Sequence, residues 1–221
     1  MGRQAVILAG GRGTRLGDIT RETPKPMLQL DGQPFITILI DELLRFGFDN
    51  FVVLVGDFMD AFEMALREHP TPGARVELVS EPEPAGTAGA LLHAAKFLKP
   101  RFLLLNGDSF FNTNILDLAT GRNSEPWLAR VALRHIQDTG RYGTVRLAGR
   151  NIVDFGEKSA VGPGLINAGI YWLKRDILNE ISTHPCSIET DIMPKLASRG
   201  MLRGQVFRGE FIDIGIPDDL R

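Results

Sequence analysis

Lys25 stands between Pro24 and Pro26, ten residues after Arg15 in the run Gly10-Gly11-Arg12-Gly13-Thr14-Arg15. Glycine at three of four positions lets the backbone bend sharply and bring its N–H groups against a ligand with no Cβ in the way. Such donors, with the guanidinium of Arg15 beside them, suit a polyphosphate. The rings of Pro24 and Pro26 fix φ on both sides of Lys25, so its amine is carried on a stiff backbone. A glycine-rich turn after a strand is also a common connection with no ligand; the stiffened lysine at this distance turns the balance toward phosphate. Spacing rules out two other phosphate loops. A dinucleotide fingerprint opened by Gly11 needs glycine at position 16, where Leu16 stands. A P-loop needs glycine followed by lysine, a dipeptide this chain lacks.

Carboxylates supply the second half of such chemistry. Asp108, in Asn106-Gly107-Asp108, follows an apolar run that reads as a strand, and ligands of open α/β sheets bind beyond the carboxyl ends of strands. Mg²⁺ takes carboxylate and phosphate oxygens together, so Asp108 is a metal candidate, although Asn-Gly and Gly-Asp also favour a plain turn. Asp213, in Phe211-Ile212-Asp213-Ile214-Gly215, is flanked by apolar residues and needs a partner, either a metal or a structural hydrogen bond. Glu81 opens Glu81-Pro82-Glu83-Pro84-Ala85-Gly86-Thr87-Ala88-Gly89. Gly86 and Gly89 would let a flat ring lie on the backbone; the plainer reading is a helix capped by Thr87 behind an acidic loop.

The elements that must position these residues alternate through the first half. Ala5–Ala9 reads as a buried strand, Phe35–Phe46 as a helix with Ile36, Leu39, Ile40, Leu43 and Leu44 on one face, and Phe51–Val55 as a second strand. A helix marked by Phe58, Phe62, Ala65 and Leu66 stops at His69-Pro70; Val76–Val79, a helix over Thr87–Leu98 and the strand Phe102–Leu105 follow. This predicts an α/β fold, a Rossmann-like, mostly parallel sheet with helices on both faces. From Trp127 to Leu173 strand-like runs dominate (128–134, 143–147, 152–155, 165–173), which predicts an antiparallel or mixed extension. Helices return over 176–181 and 188–197, the second interrupted at Pro194, before strands at 202–207 and 210–214. With no polar linker or internal repeat, one domain spans residues 1–221, with a nucleotide half to about 120 and a sugar half after it. Pro217-Asp218-Asp219 reads as a helix start cut off at Arg221, which implies a longer gene product or a removed domain.

Composition excludes several classes. An apolar fraction of 43 %, a charged fraction of 24 % and a net charge of −2 suit a globular protein with no general attraction to nucleic acid or anionic membrane. The single cysteine, Cys186, rules out an intrachain disulfide and reads as a bystander thiol in a loop. The four histidines have no zinc-like spacing, no signal sequence opens the chain, and no apolar run reaches a membrane span. The expectation is a cytoplasmic protein, its oligomeric state open.

GGxGTRL followed by PKP resembles the signature of the sugar-1-phosphate nucleotidylyltransferases, with Gly17-Asp18 where many members carry an Arg-Pro pair. Three later stretches extend the likeness: Arg141-Tyr142-Gly143-Thr144-Val145, Gly156-Glu157-Lys158, and Gly164-Leu165-Ile166-Asn167-Ala168-Gly169-Ile170-Tyr171. Alone each reads as strand and turn, and Glu157-Lys158 as a solvated pair. The motifs stand in family order over nearly the whole chain. The resemblance implies the nucleotide-diphospho-sugar transferase fold, and nucleotidyl transfer from an NTP to a sugar 1-phosphate with Mg²⁺ as cofactor and pyrophosphate as product. It implies nucleotide contacts at Leu8, Ala9, Gly10, Gly11, Gly13, Thr14, Arg15, Glu81, Gly86, Thr87, Asn106 and Gly107. It further implies sugar-phosphate contacts at Lys25, Gly143, Glu157, Lys158 and Asn167, metal on Asp108 and Asp213, and a catalytic set of Arg15, Lys25 and Asp108.

Within the family, RYGTV, GLINAGIY and FIDIGIP look most similar to the short D-glycero-α-D-manno-heptose 1-phosphate guanylyltransferases, which implies GTP as donor. Glu81 could accept from both N–H groups on guanine's pairing edge, where adenine offers no such pair. The alternatives are uridylyl transfer to N-acetylmuramate or another hexose 1-phosphate, and a non-catalytic module that binds nucleotide sugars. A glycosyltransferase of similar fold would be expected to hold metal on a D-x-D pair, which is absent from the sequence.

Overall fold

The computed structural model describes residues 2–11, 24–81, 83–120, 126–140, 142–156, 162–182 and 184–214. Ala5, Val6 and Ile7 are fully buried in the first strand, β1 (Arg3–Leu8), which the sheet places between two parallel neighbours. After β1 come the short strands β2 (Gln29–Leu30) and β3 (Gln33–Pro34), helix α1 (Phe35–Arg45) and strand β4 (Phe48–Leu54). The β2–β3 hairpin turns on Asp31 and Gly32, both at positive φ (50° and 78°), as a tight Asp-Gly turn requires. Helix α2 (Met59–Glu68), β5 (Arg75–Val79), α3 (Gly86–His93) and β6 (Arg101–Asn106) complete the parallel part, in the order β5-β4-β1-β6.

Period-two alternation in β1 sends Val6 to one face and Ala5 and Ile7 to the other. On the first face Val6, Val52, Leu54 and Leu104 pack with Ala88 and Leu91 of α3 and with Met193 and Leu196 of a late helix, α5 (Met193–Ser198). On the second, Ile7, Phe51, Val53 and Leu103 meet the α1 stripe Ile36, Leu39, Ile40 and Leu43, with Phe62 and Ala65 of α2 beside it. Helices cover both faces because both faces of these parallel strands are apolar.

After β6 come β7 (Ser109–Phe111), the short helix α4 (Leu116–Ala119), β8 (Ala129–Ile136), β9 (Thr144–Ala148), β10 (Asn151–Phe155) and β11 (Gly164–Lys174). Strands β12 (Leu202–Phe207) and β13 (Phe211–Asp213) close the described chain. The nine-stranded sheet runs β5-β4-β1-β6-β11-β8-β12-β10-β9. β11 is antiparallel to β6 and β8, β12 runs parallel to β8, and β10 is antiparallel to β12 and β9.

β11 changes partner along its length. Ile170–Lys174 pairs with β6, whereas Leu165 and Ile166 pair with Val145 and Thr144 of β9. The register shifts between Asn167 and Tyr171, where Gly169 adopts φ 71°. A crevice therefore opens at the carboxyl end of β6, the kind of switch point at which α/β sheets bind ligands.

Four details depart from the sequence reading. α3 stops at His93 and continues as a 3₁₀ turn over Ala95–Phe97, since Lys99 precedes Pro100 and the chain must become extended. The helix expected over 176–181 is a 3₁₀ helix, Arg175–Glu180. The 188–197 helix opens with a π turn, Ile188–Ile192, and becomes α-helical at Met193 beside Pro194, which lacks the N–H an earlier α turn would need. The strand near 210–214 is not part of the main sheet: β13 pairs with β7 in a separate antiparallel ladder.

Candidate active site

A cavity of about 390 Å³ lies over the carboxyl ends of β1, β4 and β6. Leu8, Ala9, Gly10 and Gly11 line it from the end of β1 onward, Lys25 and Pro26 from a 3₁₀ turn, and Glu81, Gly86, Thr87, Asn106, Asp108 and Glu189 are among its other lining residues. Two of its glycines have different work. A Cβ on Gly10 would fall 2.8 Å from the Gly56 nitrogen, so Gly10 lets the loops after β1 and β4 touch backbone to backbone. Among the described residues, a Cβ on Gly11 would meet nothing within 4 Å, which leaves that backbone open to a ligand.

Lys25 begins a 3₁₀ turn (Lys25–Met27) whose Pro26 and Met27 are buried, and this fixes where its side chain leaves the loop. A lysine amine is ordinarily exposed. Instead the side chain is only 13 % exposed, and Nζ lies 3.2 Å from Asp108 Oδ2. The stem is buried and the charged head is paired, as a lysine in a cleft requires. Ser109 Oγ donates to the other oxygen, Asp108 Oδ1, at 3.3 Å.

Asp213 enters through the β7–β13 ladder, where it stands opposite Ser109, and the next residue, Ile214, donates its N–H to the Asp108 carbonyl at 3.0 Å. The ladder thus brings the backbones of both candidate metal ligands together. Among the described residues no group of three or more His, Cys, Asp or Glu side chains converges. A metal on Asp108 and Asp213 would take its other ligands from phosphate and water, which fits Mg²⁺ and suits no all-protein cage.

Glu81 is half-buried, and its Oε2 accepts from the Ala85 N–H at 3.4 Å. Burial raises its pKa above the usual carboxylate value; the Ala85 hydrogen bond and His93 pull the other way, and Asp57 adds to the rise. Gly86 has φ 77°, and a Cβ there would overlap the Cys186 carbonyl oxygen. Gly89 is closed in likewise, by Ala85 and His184. Gly86 therefore serves a backbone-to-backbone dock while lining the cavity, and Gly89 makes room for the Ala85 and His184 side chains. The Cys186 carbonyl accepts from the Ala88 and Gly89 N–H groups, and its own N–H donates to Ala85. Cys186 lies in a loop, as expected, but is buried, and its backbone rather than its thiol makes the contacts. Thr87 Oγ1 donates to Glu189 Oε2 at 2.9 Å and accepts from the Ile188 N–H, so it ties two segments together and caps no helix of its own.

Among the remaining expected residues that are described, Gly107, Gly143 and Asn167 fall outside the cavity wall. Gly107 donates its N–H to the Leu8 carbonyl at 2.8 Å and packs against the end of β1. Gly143 faces the Gly156 carbonyl, which a Cβ would approach to 2.7 Å. Asn167 approaches through hydrogen bonds: its Nδ2 donates to Tyr171 Oη at 2.6 Å, and Tyr171 donates to Glu189 Oε1 at 2.9 Å. Gly13, Thr14, Arg15, Glu157 and Lys158 lie outside the described residues.

The model of the family described as nucleotidyl transferase matches residues 4–221 of this chain. The chain belongs to that family. This nucleotidyltransferase is 33 % identical to D-glycero-alpha-D-manno-heptose 1-phosphate guanylyltransferase of Campylobacter jejuni, over 98 % of this chain and 96 % of that one. It is 32 % identical to the protein of the same name from Aneurinibacillus thermoaerophilus, over 99 % and 95 %. Among solved structures, HddC from Yersinia pseudotuberculosis complexed with GMP-PN superimposes with a TM-score of 0.87 at 29 % identity, covering 100 % of this chain and 96 % of that one. The nucleotide-diphospho-sugar transferase fold expected from the sequence is therefore the fold of this enzyme. Among its described residues no helix is long and apolar enough to cross a membrane.

Sequence reasoning missed Glu189. It sits in the π turn, lines the cavity and accepts from Thr87, Ser187 and Tyr171. Its partners Tyr171 and Thr87 lie 18 and 102 positions away, so no local pattern marks it.

Proposed function

We propose that this nucleotidyltransferase transfers the guanylyl group of GTP to D-glycero-α-D-manno-heptose 1-phosphate, giving GDP-heptose and pyrophosphate. The observation that carries the substrate assignment is the likeness, over nearly the full length of both chains, to heptose 1-phosphate guanylyltransferases from two bacteria. The cavity supports it in chemical terms: both a carboxylate, Glu81, and an ammonium, Lys25, line it.

In the proposed reaction a phosphate oxygen of the sugar 1-phosphate forms a bond to the α-phosphorus as the α–β bridging bond breaks and pyrophosphate leaves. Both substrates are anions, so positioning and charge neutralisation supply most of the catalysis. The open backbone at Gly11, with Gly13, Thr14 and Arg15, holds the triphosphate and stabilises the departing pyrophosphate. Lys25 bridges the reacting phosphates, exchanging its Asp108 partner for phosphate oxygen. Lys158 holds the attacking phosphate, with Gly143, Glu157 and Asn167 on the sugar. Asp108 and Asp213 would hold Mg²⁺, which when bound neutralises charge on the α-phosphate. No general base is needed, because a phosphate monoester is already anionic at neutral pH. Glu81 accepts from the two N–H groups of guanine's pairing edge, with Leu8, Ala9, Gly10, Gly86, Thr87, Asn106 and Gly107 shaping the nucleotide half.

A second reading, guanylyl transfer to mannose 1-phosphate, is favoured by a relative from Xenopus tropicalis named as the catalytic subunit beta of mannose-1-phosphate guanylyltransferase. It is 29 % identical over 98 % of this chain, which spans 62 % of the relative's length. Pyrophosphate release measured over a grid of GTP, ATP, UTP, CTP and dTTP against heptose, mannose, glucose and N-acetylated sugar 1-phosphates separates the readings. GTP with the manno-heptose phosphate is expected to give the highest kcat/KM. A preference for UTP with an N-acetylated sugar would overturn the substrate assignment, and absence of pyrophosphate release with every pair would overturn turnover itself.

A further inference from the structure

Glu189 joins the two half-sites through hydroxyl groups. Its Oε2 accepts from Thr87 Oγ1 at 2.9 Å and from Ser187 Oγ at 3.1 Å, and its Oε1 accepts from Tyr171 Oη at 2.9 Å. Tyr171 is fully buried, and burial first, then the Glu189 charge, holds its pKa well above the ordinary phenol value. It is therefore a permanent donor to Glu189, and its oxygen can only accept from the group on its other side. That group is Asn167 Nδ2, at 2.6 Å. The opposite end of the amide is fixed independently, because the Gly169 N–H, which can only donate, points at Asn167 Oδ1 at 3.0 Å. The Asn167 amide is thus clamped at both ends, with one N–H and one lone pair left for a ligand. The turn that carries it packs on the cavity: a Cβ on Gly169 would lie 2.8 Å from Nδ2 of the cavity residue Asn106.

Such an arrangement exceeds what packing requires. The register shift in β11 folds Asn167 back over Tyr171, and an apolar pair would fill that space without burying a phenol hydroxyl against a carboxylate. A carboxylate accepts on both oxygens, so it alone can receive Tyr171 on one side and Thr87 and Ser187 on the other. Glutamine offers an oxygen on one side and an amine on the other, and one set of hydroxyls must turn round.

We propose that Glu189 is a positioning residue, which through Tyr171 sets the orientation in which Asn167 meets the sugar and directly sets the rotamer of Thr87 beside the nucleotide. The inference rests on the reading that places Asn167 at a sugar hydroxyl, and it adds the residues that hold it there.

The test uses the full chain, GTP, the manno-heptose 1-phosphate and Mg²⁺, with steady-state kinetics and a thermal melt for each variant. Tyr171→Phe keeps the ring and removes only the link. It is expected to raise KM for the sugar phosphate about tenfold, the scale of a misaligned substrate contact, and to leave KM for GTP within about twofold. Glu189→Gln is expected to raise KM for both substrates, because it also releases Thr87. The double variant should raise the sugar-phosphate KM no further than either single one, since both cut one path. Asn167→Ala separates the two layers of the argument. If it raises the sugar-phosphate KM while a folded Tyr171→Phe and a folded Glu189→Gln do not, the inference is overturned and the sugar reading stands. If Asn167→Ala itself leaves that KM at the wild-type value, the sugar reading and the inference fall together. A melting temperature lowered in Tyr171→Phe with both KM values unchanged would make the network structural only and overturn the inference.

Discussion

Replacing Glu81 by glutamine removes the charge that would read guanine while keeping the side-chain shape. Glu81 is half-buried and spends one lone pair of Oε2 on a long hydrogen bond to Ala85 (3.4 Å), so both oxygens can still accept. Hydrogen bonds to a charged group contribute about 1.5–3 kcal/mol each and neutral ones about 1 kcal/mol. Half-exposure favours the lower end, so the pair of bonds to guanine is worth about 3 kcal/mol. Glutamine keeps one, at about 1 kcal/mol, and turns its amine toward the other N–H. The loss of about 2 kcal/mol is about 30-fold in kcat/KM for GTP. ATP, which offers no donor pair there, should change little, so the GTP/ATP selectivity should collapse by the same factor. The assay is pyrophosphate release with each nucleotide at fixed sugar phosphate. A selectivity ratio unchanged to within about threefold would remove Glu81 from base recognition. The raised pKa adds a second arm, because only the ionised carboxylate accepts twice. In wild type kcat/KM for GTP should fall as pH drops through that raised value, and the glutamine variant should lack that fall. The linkage has the opposite sign for stability. A carboxyl whose folded pKa is raised favours folding below its unfolded value, and that benefit is lost as pH rises through the folded one. Glu81→Gln should therefore melt no lower than wild type at neutral pH, and the difference should vanish in acid.

Lys25→Ala should reduce kcat about 10²–10³-fold with the fold retained, the usual loss on removing one electrostatic stabiliser; a variant keeping more than half of wild-type activity would exclude Lys25 from the chemistry. Asp108→Asn and Asp213→Asn should each raise the Mg²⁺ concentration for half-maximal rate, since an amide is a weaker ligand; wild-type metal dependence in the Asp213 variant would make that residue structural. Gly86→Ala should lower the melting temperature, with a cost of more than about 1 kcal/mol from positive φ alone and more from the overlap with Cys186, read by chemical denaturation.

The parallel half of the fold is legible because its signals are local. Apolar runs such as Ala5–Ile7 and Phe102–Leu105 are continuous, and the α1 stripe keeps helical spacing. The glycine loop, Lys25, Glu81, Asn106 and Asp108 are legible for the same reason, each belonging to a short local motif, and the cavity gathers those that are described. Long-range contacts are not legible. Nothing within Ile188-Glu189-Thr190 announces that the carboxylate faces Tyr171 and Thr87, and a three-residue ladder such as β7–β13 is too short to show alternation. Gly86 shows a subtler limit. It is recognisable as a residue of the site, but the atom that demands its missing side chain belongs to Cys186, a hundred residues on. The Lys25 pairing with Asp108 is a further case, because a charged residue in a cleft looks exposed until its partner is known.

The place of β11 in the sheet bears on how the chain can be made. β11 lies between β6 and β8, and β12 lies between β8 and β10, so later segments are inserted among strands synthesised before them. Until residue 174 has been made, the edge of β6 with Phe102–Leu105 has no partner on that side, and β8 has neither of its two neighbours. Unpaired apolar edges of this kind are where nascent chains stick to one another, and pairings so distant in sequence close slowly. The candidate cavity lies at the carboxyl end of β6, the strand whose free edge β11 covers. A fragment ending after β6 would carry most of the cavity's lining residues but neither Asp108 nor Glu189, and its β6 edge would be unprotected. The strand order therefore predicts that the two halves, expressed separately, aggregate more than the intact chain.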